Sequence, residues 1–165
     1  MLKRSPTLHM LYGNIASGKS TLAAALGRSN GVVVISEDIW LHALYGDDLR
    51  SLSDYSRLSA RLCSVMGRHV AEILNAGLSV VLDFPANTIE QRRWMRDILA
   101  QTRAAHLLHV LDVPEEVCLA RLRERNRQGE HPFVVTEAQF RRITAHPVPP
   151  APDEGFTVTV HGASA

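Results

Sequence analysis

Several protein classes are ruled out by what this chain has little of. Its 165 residues include only two cysteines, Cys63 and Cys118, each in a helix-like stretch and neither with a C-x-x-C companion. That argues against a disulfide framework and against a structural zinc site. Charge of one sign is also lacking: 18 Lys+Arg face 17 Asp+Glu, for a net charge of +1. Extensive nucleic-acid binding is therefore not expected, although a local groove is compatible with this balance. There is no apolar run of about 18 residues, so no membrane span is expected. The start, MLKRSPTLHML, is basic but has no long apolar core and no small-residue cleavage site. Cleavage there would remove the first strand, so the expectation is a cytoplasmic protein without a leader. Internal repeats and low-complexity tracts are absent as well.

What remains is a globular composition, 45% hydrophobic and 21% charged. The length suits one domain over residues 1–165. Short apolar segments at Thr7–Tyr12, Gly31–Ile35, Leu78–Phe84, His106–Asp112 and Phe156–His161 read as strands buried on both faces. Helix-like stretches lie between them. One opens at Gly18-Lys19 and runs through LAAAL. A second spans Asp54 to Asn75, with Leu58, Leu62, Val65, His69 and Ile73 on one face and Gly77 as its stop. Thr88 with Gln91, and Thr136 with Gln139, have capping-box spacing. Pro114 ahead of Glu115 and Glu116 suits the first turn of a helix reaching Asn126. Strands alternating with helices over short connections predict a parallel sheet covered on both faces. Pro147–Pro152 reads as an extended connector delivering the last strand.

Residues 13–20, G-N-I-A-S-G-K-S, match G-x-x-x-x-G-K-[ST] at every defined position. Glycines at 13 and 18 let the backbone curl so that successive N–H groups face a phosphate. The backbone of Gly13, Asn14, Ile15, Ala16, Ser17 and Gly18 is expected to form that cradle, with Thr21 adding its N–H. The following helix directs its positive end to the same place. Lys19 is expected to bridge the terminal phosphates and Ser20 to ligate Mg²⁺. An apolar strand before the loop and a helix-forming run after it are the context the motif requires.

Other residues narrow the class. No Asn is followed by Lys, so the N-K-x-D of guanine-specific switches is missing. Asp83 ends an apolar strand and is a second candidate for the metal. Phe84 follows it, where hydrolytic ATPases usually place a water-activating Glu. Strand two ends in Ser36-Glu37-Asp38, at the sheet edge where ligands bind in open α/β folds. A carboxylate there could accept the proton of an attacking hydroxyl, or could cap the next helix. Asp38 is the favoured base, with Glu37 left as the alternative. Arg121 and Arg125 share a helix face and could neutralise charge on a transferred phosphoryl group. Arginines of that stretch could instead pair with Glu115, Glu116 or Glu124. Gly129 reads as a hinge. Arg92 and Arg93, on the helix after Asn87, could contact an acceptor but are read in preference as solvated surface, and Trp40, Trp94, Met10 and Met66 as core. His131 reads as structural or as a lid contact, and the remaining histidines lack metal-ligand spacing.

Four segments together, GNIASGKST (13–21), VVVISED (32–38), VVLDFPANT (80–88) and HVLDVPEEVCLARLRERNRQGEHPF (109–133), resemble the small P-loop kinases of the AAA-33 type. That group includes relatives of the polynucleotide kinase phosphotransferase domain, chloramphenicol phosphotransferase, gluconate kinase and zeta toxin. The resemblance spans nearly the whole chain, and the loop is its most specific part. It implies the three-layer αβα P-loop NTPase fold, with a parallel five-stranded sheet of order 2-3-1-4-5 and a short helical lid at about 121–135. It also implies that Asp38 activates the acceptor, Arg121 stacks on adenine, Arg125 contacts phosphates and Asn87 contacts the acceptor. Where relatives carry an acceptor-binding Arg three residues after the Asp, this chain has Leu41. That argues against a phosphorylated acceptor or a nucleic-acid end.

The expected activity is an ATP- and Mg²⁺-dependent kinase moving the γ-phosphoryl group to a hydroxyl of a small molecule. In this reading Lys19, Asp38, Arg121 and Arg125 are catalytic, and Ser20 and Asp83 hold the metal. The partners are a nucleoside triphosphate and a hydroxyl-bearing small molecule, with no membrane, and the protein is a monomer or homodimer. A regulatory nucleotide-binding switch without phosphotransfer and a 5′-hydroxyl nucleic-acid kinase are the alternatives. A toxin-like activity on a cell-wall sugar nucleotide also fits the resemblance. A nucleoside monophosphate kinase fits poorly, because no Arg lies between Asp38 and Arg50.

Overall fold

The Val- and Leu-rich segments pair side by side because their strands carry apolar residues toward both faces, which demands cover on each. In the computed structural model, which describes residues 5–129 and 134–162, β1 (Thr7–Tyr12), β2 (Val32–Ser36), β3 (Ser79–Pro85), β4 (Ala105–Asp112) and β5 (Val158–Gly162) form one parallel sheet. Their order is β2-β3-β1-β4-β5, as expected. The first strand has its predicted bounds. β2 and β3 start one residue late, because Gly31 (φ 78°) and Gly77 (φ 91°) turn the chain just before each strand. β5 starts two residues late: Phe156 packs edge-on against His106 beneath the Arg96 guanidinium instead of joining the ladder.

Among the described residues, six α-helices connect the strands: α1 (Lys19–Leu26), α2 (Glu37–Tyr45), α3 (Leu52–Asn75), α4 (Ile89–Ala100), α5 (Glu115–Gln128) and α6 (Glu137–Thr144). Capping boxes open α4 at Thr88 and α6 at Thr136, each closed by the Gln three residues on. Ser36 occupies the cap position of α2, so neither Glu37 nor Asp38 is the cap residue.

The main core lies on one side of the sheet. Leu8, Met10, Val80, Leu82 and Leu108 meet Leu58, Leu62, Met66, Val70 and Leu74 of α3 and Met95 and Ile98 of α4. The buried face of α3 departs from the expected one after Leu62: Met66, Val70 and Leu74 are buried, while Val65 and His69 are exposed. A strict four-residue spacing from Leu58 follows the seam that the sheet offers, one residue past the positions read from the sequence. On the opposite side Leu11 and Val81 pack on Ala23 of α1. A separate small cluster, Val113, Cys118, Leu122, Val135 and Phe140, joins α5 to α6.

Two core assignments need correction. Trp94 packs on Phe84 and donates its Nε1–H to the Cys63 carbonyl at 3.2 Å, as core requires, but Trp40 is 40% exposed on α2. Arg92, read as surface, is buried at 1% exposure. Its Nε and Nη2 donate to the two oxygens of Glu154 at 2.7 and 2.8 Å, and its Nη1 donates to the Ala86 and Val148 carbonyls at 2.9 and 2.8 Å. A guanidinium can be buried only when its donors are satisfied in this way. Here it fastens the connector to the exit of β3. That connector is extended through Val148, whose N–H donates to the Asn87 carbonyl, and closes in a 3₁₀ turn at Pro152–Glu154. Arg93 is exposed, as read. Among the described residues no helix is long and apolar enough to cross a membrane.

Candidate active site

The turn after β1 fixes the site. A Cβ on Gly13 would stand 2.6 Å from Ser17 Oγ and 3.2 Å from the Leu111 carbonyl, so only glycine fits. Gly18 (φ 102°) is the left-handed residue that admits α1, and Ala16 holds φ 61° within the loop. Asn87 braces the loop's first residue from β3's exit: its Oδ1 accepts from the Gly13 N–H and its Nδ2 donates to the Gly13 carbonyl, both at 3.0 Å. With both ends of its amide on the loop, Asn87 is a brace here, and the acceptor contact implied by the resemblance is not what holds it. The sequence offered only a polar residue after the strand as a signal.

A cleft of about 1180 Å³ opens over this loop. Ile15, Ala16, Ser17, Gly18, Lys19, Ser20 and Thr21 line its floor. Lys19 Nζ donates to the Gly13 and Asn14 carbonyls at 2.6 and 2.8 Å. Burial pushes its ammonium down to about 8, against the pull of Asp83 and Asp38. Ser20 Oγ donates to Asp83 Oδ2 at 2.9 Å, so the two metal candidates, 63 residues apart in sequence, meet. Burial raises the Asp83 carboxyl, and the Ser20 hydroxyl partly offsets that. Two oxygen donors at the foot of a phosphate loop suit a small hard cation that keeps waters and completes its shell with phosphate oxygens.

Asp38 is half-buried in the first turn of α2 and lines the same cleft. Its neighbour Glu37 also lines it but is 2% exposed, and both the Tyr55 hydroxyl and the Ser59 hydroxyl donate to its carboxylate. Burial pushes the Glu37 carboxyl up, and those hydroxyls pull it back. Glu37 is thus a pinned group rather than a free base.

On α5 the four arginines divide. Arg123 pairs with Glu137 of α6, its Nη2 donating at 3.0 Å, and Arg127 pairs with Glu124 at 2.9 Å. Arg121 and Arg125 line the cleft. Arg121 Nη1 lies 3.4 Å from the Ser17 carbonyl, and burial lowers the Arg125 guanidinium while Asp38 raises it. Among the described residues, Ser17 Oγ and Arg125 Nε are buried without a hydrogen-bond partner. Unpaired polar atoms at a cleft wall are what a phosphate-bearing ligand would satisfy. Arg142, His146 and His161, which sequence reasoning passed over, also line the rim. Gly129 (φ 67°) caps α5; residues 130–133, including His131, lie outside the described residues.

The first segment, the loop and the sheet order together identify the lineage. A family model, the AAA domain of the AAA-33 type, matches residues 8–150. The chain belongs to the AAA-33 family. Solved structures agree with the fold of an AAA-33 member. A candidate kinase from Chloroflexus aurantiacus aligns with a TM-score of 0.74 at 20% identity, covering 96% of this chain and 85% of that one. Kti12 of Chaetomium thermophilum, in complex with ADP-AlF3, aligns at 0.69 and 15% identity over 96% and 89%. The APS kinase CysC of Mycobacterium tuberculosis, in complex with AMPPNP and APS, aligns at 0.57 and 22% identity over 76% of each. Identities this low establish the P-loop NTPase fold of the AAA-33 chain and nothing finer. No curated protein matches the sequence.

Three histidines also meet, although their sequence positions gave no such signal. His9 Nδ1 lies 3.0 Å from His109 Nε2, and His109 Nδ1 lies 2.9 Å from His161 Nε2, across β1, β4 and β5. Among the described residues no group of three His, Cys, Asp or Glu could hold a metal ion.

Proposed function

We propose that this AAA-33 protein is an ATP-dependent kinase that moves the γ-phosphoryl group of Mg·ATP to a hydroxyl of a small-molecule acceptor. One observation carries the reading: Asp38 stands in the same cleft as the phosphate loop, the Ser20–Asp83 pair and two cleft-lining arginines. A carboxylate beside a phosphate site is what activating a hydroxyl needs. Structural neighbours described with AMPPNP and with ADP-AlF3 support the nucleotide part.

In this reading the loop amides from Gly13 to Thr21 hold the phosphates. Lys19 leaves its loop carbonyls to reach the β- and γ-phosphates. Ser20 and Asp83 would hold Mg²⁺, which when bound would supply charge neutralisation for the phosphates. Asp38 takes the acceptor's hydroxyl proton as the acceptor oxygen bonds to the γ-phosphorus and the bond to the bridging oxygen of ADP breaks. Arg125, whose Nε is unpaired among the described residues, meets the charge on the transferred group, and Arg121, close to the loop carbonyl of Ser17, stacks on the adenine. The lid is the stretch of about 121–135, whose described part includes the second half of α5 with Arg121 and Arg125.

The test pairs Mg·ATP binding with mass detection of phosphorylated product. Lys19→Ala should lower transfer on the order of 10³-fold or more. A switch without transfer would bind Mg·ATP and form no product. No association of the wild-type protein with millimolar Mg·ATP would refute the kinase reading.

A further inference from the structure

The cleft is divided by charge. Toward β4, β5, α5 and α6 its charged walls are Arg121, Arg125 and Arg142, with His146 and His161 beside them. Toward β2, β3, α2 and α3 they are Glu37, Asp38 and Asp83. Among the described residues no arginine or lysine of α2, α3, α4 or their connections lines the cleft.

Arginine is not scarce on these elements, and several are engaged elsewhere. Arg57 pairs with Asp54, Arg68 with Glu72 and Arg92 with Glu154, while Arg96 stacks over Phe156. Position 41 offers no cation either: Leu41 is 1% exposed and belongs to the main core. The rest of this wall is hydroxyl, amide and apolar, including Tyr55, Ser56, Thr88 and Gln91 with Leu52 and Phe84.

A polyphosphate suits the loop and the cationic side. A second substrate then has the other side, where an anionic group would face carboxylates with no counter-charge from that wall. Arg125 and Asp38 both line the cleft at this junction, where the transferred group passes between the halves. Resting on the kinase reading above, we infer that the acceptor is an alcohol with no phosphate, carboxylate or sulfate of its own, uncharged or amine-bearing, seated on the β2–β3 side of the cleft. A hydroxyl-rich compound finds partners there in side-chain hydroxyls and amides. An ammonium group is tolerated by the same carboxylates that exclude an anion.

The test offers matched acceptors with Mg·ATP: glucose, glucosamine, glucuronate and glucose 6-phosphate, then glycerol, serinol, glycerate and glycerol 3-phosphate. Product is identified by mass and rates are compared as kcat/KM. Neutral or amine-bearing members should be phosphorylated, with their anionic counterparts at least about tenfold poorer. Ser56→Arg, an exposed cleft-wall position outside the catalytic groups, should narrow that gap severalfold. An anionic member used equally well or better would overturn the inference and leave the kinase reading standing. An unchanged gap in Ser56→Arg would also overturn it, by removing the acceptor from this wall. Binding of Mg·ATP without product from any compound would sink the kinase reading, and the inference with it.

Discussion

The two sides of the cleft are built differently. The β2–β3 side stands on the main core: Leu41 and the α3 residues Leu58, Leu62 and Met66 are buried in one continuous cluster with the sheet. Its carboxylate Glu37 is pinned by two hydroxyls, and Arg92 fastens the adjoining connector from inside. Among the described residues, the α5–α6 side rests on a smaller buried cluster of Val113, Cys118, Leu122, Val135 and Phe140. It is tied by the exposed Arg123–Glu137 pair. Few buried contacts and exposed ties mark the part of a protein that opens at low free-energy cost. On the proposed kinase reading, the group that would take the proton stands on the more deeply packed wall and the groups that would meet the phosphoryl charge stand on the less packed one.

The comparison can be broken in several ways, beginning with the largest effect. Arg125→Ala should lower kcat roughly 10²–10³-fold while Mg·ATP affinity changes far less, read by steady-state kinetics beside calorimetric titration. Equal losses in both would place Arg125 in binding alone. Next come the two ties. Arg92→Leu strands the Glu154 carboxylate and two carbonyls, and should cost about 3 kcal/mol, seen as a large fall in Tm. Arg123→Ala, with both partners half exposed, should lower Tm only slightly. If the two variants melted alike, the contrast between a fastened and a loosely tied side would fail.

The smallest effect is a pH dependence on the β4–β5 side. Burial, with His9 and His161 alongside, pushes the His109 imidazole down to about 4 from its usual 6.5. The unfolded chain therefore binds the proton first as pH falls through 6.5, while folded His109 stays neutral until about 4. Stability from this group is present above 6.5 and lost as pH falls toward 4. Thermal melts between pH 7 and 5 should show Tm falling, with a shallower slope in His109→Asn.

What could be read from the sequence depended on how local the physics was. The loop, β1 and the two capping boxes are set by neighbours within a few residues, and each appears where its pattern predicts. The sheet order came with the resemblance, since strand alternation alone does not fix it. Arg92 was misread because its partner Glu154 is 62 residues away and nothing near it signals burial. Asn87's hold on Gly13 and the three-histidine chain arise the same way, from strands that become neighbours only in the order β1-β4-β5 or through the turn beyond β3. The face of α3 slipped because Val65 and His69 fit a helical stripe as well as Met66 and Val70 do. The geometry of the sheet chose between them.

The most direct measurement takes Asp38→Asn, which keeps shape and hydrogen bonding but cannot accept the hydroxyl proton. Mg·ATP affinity and turnover on a productive acceptor are measured in parallel with the wild-type protein. The account predicts an affinity within about threefold of wild type and turnover reduced roughly 10²–10⁴-fold. Full turnover in Asp38→Asn would contradict it.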